Sequence, residues 1–144
     1  MSQSTLIRDF ESQRDAMIEE LRSWVLVETP SDDKPNLDRL GRGLVERFAS
    51  IGAEVEIHSR HNAGDHILAK FAGTEPLRPA LVMCHFDTVW PRGTIERLPF
   101  RVQGDRLFGP GVFDMKASLV IVANAVEWLV RNHRPLKRPI WVLL

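Results

Sequence analysis

The feature that most constrains this chain is a change in hydrophobic period at Gly52. Before it, apolar residues recur at helical spacing. After it, they alternate or run together as in strands. Ile7, Phe10, Met17, Leu21 and Trp24 mark an amphipathic helix over residues 4–27. ETPSDDKPN (28–36) is turn chemistry, and Asn36 is placed to cap a second helix. Leu37, Leu40, Leu44, Phe48 and Ile51 form that helix's apolar stripe, and Gly52 terminates it. AEVEIHSR (53–60) then reads as a half-buried strand, and HILAKFAG (66–73) as a second. ALVMCHFDT (80–88) reads as a third, apolar enough for the interior of a sheet. PFRVQGDRLFGPG (99–111) predicts a hairpin around Gly104-Asp105. Residues 115–131 predict an apolar helix ending near Asn132 and Pro135, and PIWVLL (139–144) opens another buried strand. Helices, then strands, then helix and strand again specify an α/β sheet with helices packed on it.

Nineteen basic residues balance nineteen acidic ones, so no net field draws the chain to nucleic acid or an anionic membrane. No apolar run reaches the roughly 18 residues of a membrane span. The single cysteine, Cys84, excludes an internal disulfide. MSQSTLIRDFESQRD lacks the basic cluster and apolar stretch of a secretory signal. A cytoplasmic location is therefore expected. Leu144 lies inside an apolar run with no turn signal after it, which predicts that the chain is part of a longer one.

Two groups of residues suggest chemistry. In an extended strand His85 and Asp87 share a face. A metal-bound imidazole commonly donates its second N–H to a carboxylate, which fixes its tautomer. The same pair also reads as two polar residues bonded to loop backbone. Asp114 follows a Gly-Pro-Gly turn and opens a helix, so it is either an N-cap or a carboxylate facing a cation. Cys84 alternates with His85 and reads as a buried, inert thiol rather than a nucleophile. His58 and His61 read as a solvated loop pair, His66 as structural or rim-exposed, and His133 as a helix-end residue favoured by the dipole. Trp90 and Arg92 follow in a loop near the candidate site, within reach of a substrate. RNHRPLKR (131–138) reads as a solvated turn.

HFDTVWPRGT followed by PFRVQGDRLFGPGVFDMK resembles the signature region of metallopeptidase family twenty. That family includes glutamate carboxypeptidases, aminoacylases, acetylornithine deacetylases and succinyl-diaminopimelate desuccinylases. GTIERLPFRVQGDRLFGPG leans toward the glutamate carboxypeptidase branch. The resemblance implies an α/β fold: the N-terminal part of a zinc-peptidase-like catalytic domain, with a mixed β-sheet flanked by helices, truncated. Residues 1–144 would then be the N-terminal portion of that catalytic domain, without its lid or dimerisation domain and its C-terminal half. His85 and Asp114 match metal ligands, Asp114 bridging two Zn2+, and Asp87 matches the catalytic aspartate that orients His85. The peptide bond after Asp114 is expected to be cis. Cys84 stands where a small residue is common, and Ala117 where glycine is usual. The implied activity is hydrolysis of a small peptide or N-acyl amino acid, releasing a C-terminal residue such as glutamate, in a parent that dimerises. Zinc sites normally have at least three protein ligands, so the chain alone is expected to hold zinc weakly and not to turn over. The alternative is a non-catalytic remnant acting as a binding module. A metal-independent hydrolase using Cys84 and His85 is disfavoured, because adjacent strand residues point apart.

Overall fold

A computed structural model describes residues 3–144. Helix α1 spans Gln3–Val25 and α2 spans Lys34–Ser50. Asp33, not Asn36, caps α2: its carboxylate accepts the Asn36 N–H at 3.2 Å. An aspartate directly before a Lys-Pro first turn leaves Asn36 already inside the helix, where its N–H is one of the orphan donors. The Leu37, Leu40, Leu44 and Phe48 stripe is buried as expected, with Ile51 beside it.

Strands β1 (Glu54–His58), β2 (His66–Phe71), β3 (Ala80–Met83) and β6 (Ile140–Leu143) form one sheet in the order β1-β2-β6-β3. β1 and β2 are antiparallel, as are β2 and β6, whereas β3 and β6 are parallel. The sheet is therefore mixed. Between β3 and β6 come a short helix α3 (Thr94–Arg97), a hairpin of β4 (Arg101–Gln103) and β5 (Arg106–Phe108), and helix α4 (Ala117–Arg131). Gly104 takes the positive φ of 61° that the expected hairpin turn needs. A parallel pair requires a crossover, and α4 ends that crossover. The path from β3 into α4 thus lies at the carboxyl edge of β3, the edge where α/β sheets gather functional groups.

Ile67, Ala69, Phe71 and Val142 form the inner face of the sheet and join Leu44, Phe48, Leu21, Val25, Leu119 and Ala123 in one core. The pairs Leu81–Trp141, Met83–Leu143 and Lys70–Trp141 place those residues on the opposite face. There Leu81 is 54% and Met83 69% exposed.

This corrects two expectations. The third strand ends at Met83 rather than near residue 88, and it lies at the sheet's edge, with β6 inside. A continuous apolar run says that both faces are apolar, not that both edges are paired. The strand stops because its next residues bond elsewhere. Cys84 N–H still reaches the Leu143 carbonyl, but Phe86 and Thr88 pair with residues 29–31.

Candidate metal centre

Residues 85–88 are held by the segment that follows α1. The Thr29 hydroxyl, fully buried, donates to the Phe86 carbonyl at 2.6 Å. Thr88 N–H donates to the Thr29 carbonyl at 2.7 Å, and Ser31 N–H to the Thr88 carbonyl at 3.2 Å. Phe86 is buried, so His85 and Asp87 on either side of it turn outward. The i, i+2 relation read from the sequence survives although the strand has ended.

The other half of the site is the turn Val112–Lys116 leading into α4. Gly111 has φ 74°, and a Cβ there would lie 2.6 Å from the Thr88 side chain. Only glycine lets this turn press against the 85–88 loop. Asp114 and Met115 depart from helical angles, and the bond between them is cis, as the resemblance implied. Asp114 does not cap α4. The residue before that helix is Lys116, which makes no side-chain cap. The three side chains of Asp114-Met115-Lys116 have separate anchors. Asp114 meets the His85 ring. Met115 Sδ accepts the His85 backbone N–H at 3.3 Å. Lys116, 1% exposed, donates from Nζ to the carbonyls of Trp24 at 2.9 Å and Val27 at 2.8 Å. Those carbonyls lie at the C-terminal end of α1, where helix acceptors lack partners and a cation complements the dipole. Burial pushes the Lys116 amine down to about 8, against the opposing pull of Glu28. The Glu28 carboxylate in turn accepts N–H groups of Gly93 at 2.8 Å and Ile95 at 2.9 Å. Desolvation acts to raise its pKa, but those donors, with Thr94 and Arg92, hold it below the usual carboxylate range.

The result is one imidazole between two carboxylates. His85 Nε2 is 3.0 Å from Asp114 Oδ1, and Nδ1 is 3.0 Å from Asp87 Oδ1 and 3.1 Å from the Asp87 carbonyl. The second oxygen of Asp87 accepts the Ser31 hydroxyl at 2.5 Å. Burial would lower the His85 pKa, but the Asp87 carbonyl and the Asp114 and Asp87 carboxylates outweigh it and raise it. The side chains of His85, Asp87 and Asp114 are 46%, 38% and 76% exposed. They open onto a cavity of about 350 Å³ that Trp90 and Phe113 also line.

His85, Asp87 and Asp114 are thus brought together from positions up to 29 residues apart. Trp90 joins them at the cavity, whereas Arg92 points toward Asp33 at 3.8 Å. The other histidines stand elsewhere. His58 lies near Glu56, His66 bonds Arg60, His61 is exposed, and His133 sits past α4 with φ 50°. Cys84 is partly buried, and burial raises its thiol pKa. Among the described residues no three His, Cys, Asp or Glu side chains converge on one point able to hold a metal. Asp87 and Asp114 occupy opposite sides of the ring. Ser31, Met115 and Lys116 were not singled out by sequence reasoning. The only signals were that Ser31 sits in the ETPS turn and that Lys116 closes the DMK motif.

Residues 81–144 match the sequence pattern of "Peptidase family M20/M25/M40". Over these residues the chain is similar to the M20 peptidases. Over 119 residues the chain is 29% identical to carboxypeptidase G2 of Pseudomonas sp. (strain RS-16), covering 81% of this chain and 28% of that protein. Human carnosine dipeptidase 1 superposes with a TM-score of 0.82 at 18% identity, over 97% of this chain and 33% of that one. An M20 family metallo-carboxypeptidase of Sulfolobus solfataricus gives 0.74 at 16% identity, over 88% and 30%. The chain therefore has the M20 catalytic-domain fold and spans about a third of the length of these relatives.

Proposed function

We propose that this chain is the N-terminal portion of the catalytic domain of a zinc-dependent hydrolase of peptide or amide bonds. In this reading residues 1–144 supply one wall of the site, and a lid or dimerisation domain and the C-terminal half supply the remainder. The observation that carries it is the His85 ring clasped by two carboxylates, with Nε2 and Asp114 Oδ1 3.0 Å apart at the mouth of a cavity. Tetrahedral zinc ligands 2.0–2.2 Å from the ion stand about 3.3–3.6 Å from each other, so a small outward shift of this nitrogen and oxygen, 3.0 Å apart, would seat one cation between them. The residues that would hold it are His85 through Nε2 and Asp114 through its carboxylate, whose two oxygens allow it to bridge a pair of Zn2+. A bound zinc pair supplies Lewis acidity, polarising an amide carbonyl and activating water.

The chain's own side chains then have distinct tasks. Asp87 keeps the proton on His85 Nδ1 and so leaves the Nε2 lone pair available. Its bond to Ser31 and the pairing of residues 86–88 with 29–31 hold that geometry. Trp90 and Phe113 offer apolar surface at the cavity rim. The likeness to carboxypeptidase G2 supports a small peptide or N-acyl amino acid as substrate, with a C-terminal residue such as glutamate released. The single thiol, Cys84, supports a cytoplasmic setting. No described helix is long and apolar enough to cross a membrane.

Two protein donors are fewer than a zinc site needs, so residues 1–144 alone are expected to bind zinc weakly and to leave an N-acyl glutamate intact. Zinc titration of the chain and of two variants tests the reading. His85→Ala is expected to abolish the residual affinity, and Asp87→Asn to lower it about tenfold. Zinc uptake indifferent to His85→Ala, or tight stoichiometric zinc in the chain alone, would sink it.

A further inference from the structure

We propose that the outer face of α1 is a self-association surface, on which a second copy of this chain packs its own α1 antiparallel to the first. The inference does not depend on the reading of the metal centre. Along α1 (Gln3–Val25) runs a groove of about 600 Å³, closed on its far side by Val102 of the β4–β5 hairpin and Ile121 of α4. Ile7, Val102 and Ile121 are each at least half exposed, so the groove leaves contiguous apolar surface in water. Such surface, rimmed by charges, marks an interaction site.

The order of side chains along α1 decides what fits there. Ile7, Glu11, Arg14 and Ile18 line the groove, at spacings of four, three and four residues. At about 100° per residue they fall within about 60° of arc and form one ridge along the helix. Reversed, the order isoleucine, glutamate, arginine, isoleucine becomes isoleucine, arginine, glutamate, isoleucine. An antiparallel pair about a two-fold axis between Ser12 and Gln13 therefore matches itself. Ile7 of one copy meets Ile18 of the other, and Glu11 of one meets Arg14 of the other. The axis repeats each contact, as an isologous interface requires. A parallel pair would set glutamate against glutamate and arginine against arginine, so the charges select one orientation. Both charges are available for this. Glu11 and Arg14 are exposed, and among the described residues neither has an ion-pair partner. Other charges of the helix are committed within the chain: Asp9 accepts the Trp128 indole N–H, and Glu20 holds Arg47. The surface belongs to residues 7–18 and is separate from any dimerisation domain in a longer chain. A pair of helices in contact over three turns is a small interface, so the association is weak and reversible.

The test is sedimentation velocity of the 144-residue chain at about 300 µM, high enough to populate a weak dimer. The wild-type chain is expected to show a reversible monomer–dimer equilibrium. Glu11→Arg and Arg14→Glu each turn both ion pairs into like-charge pairs, and each is expected to weaken the dimer by about tenfold or more. Mixed in equal amounts, the two single variants are expected to recover a dimer of one copy of each. The double variant Glu11→Arg/Arg14→Glu is expected to recover the wild-type dimer, which a parallel arrangement forbids. Because both positions are exposed, all these variants should melt as the wild type does. A wild-type chain that stays monomeric overturns the proposal and leaves the groove to another part of a longer chain or to a different protein. A dimer indifferent to both reversals overturns it too, since association then runs through another face, such as that of Leu81 and Met83. So does a mixture of the two single variants that stays monomeric.

Discussion

The floor of the site and its mouth are built by opposite rules. Beneath it, Val25, Thr29 and Lys116 are almost wholly buried, and each polar group among them has a partner. Above it, His85, Asp87 and Asp114 are open to solvent, and the ionisable groups face one another. Asp114 and Lys116 are two residues apart in sequence and lie on opposite sides of this divide. A charged floor residue works by anchoring the backbone. A charged mouth residue remains free to meet a ligand. Removing the first should cost stability, and removing the second should cost binding.

The largest effect is expected from Lys116→Ala. It empties a buried volume and leaves two carbonyls without a donor, so a loss of about 3–5 kcal/mol in urea unfolding is expected. A loss below about 1 kcal/mol would mean that the floor is not anchored through this side chain. Next comes pH. The Lys116 amine sits at about 8 in the folded chain against an ordinary 10.5. Between those values the unfolded chain keeps the proton that the folded chain has released, so raising the pH favours folding. Below about 8 the burial penalty is present in full. Stability should therefore rise from pH 8 toward 10.5, by on the order of 3 kcal/mol, relative to a Lys116→Met variant that lacks the group. A difference between the two that is flat with pH would show that the amine is not desolvated. The smallest effect is expected at the mouth. Asp114→Asn should change unfolding free energy by less than about 0.5 kcal/mol, because an exposed ion pair contributes little. A larger loss would make Asp114 part of the scaffold and blur the contrast.

Much of the fold was legible in the sequence because hydrophobic period reports directly on burial. The stripe of α2, the Gly104 hairpin and the apolar β6 each follow from local pattern. The place of β3 did not. Its residues are apolar on both faces, yet pairing partners are a property of the sheet, and β6 took the interior position. The cap of α2 moved from Asn36 to Asp33, three residues earlier, because the helix begins at Lys34 and Asn36 already lies inside its first turn. At the site, His85, Asp87 and Asp114 were legible as residue types in motif positions. Ser31 and Lys116 were not, since each acts on a partner more than 50 positions away.

The sequence by itself determined which stretches bury one side and which residues carry ligand chemistry, because spacing and side-chain type are local quantities. The tertiary structure alone decided that the end of β3 and the start of α4 meet. It also decided that Lys116 reaches the end of α1 and that Ser31 reaches Asp87. Those contacts depend on how the parallel crossover brings distant chain segments together, and no local pattern encodes that distance.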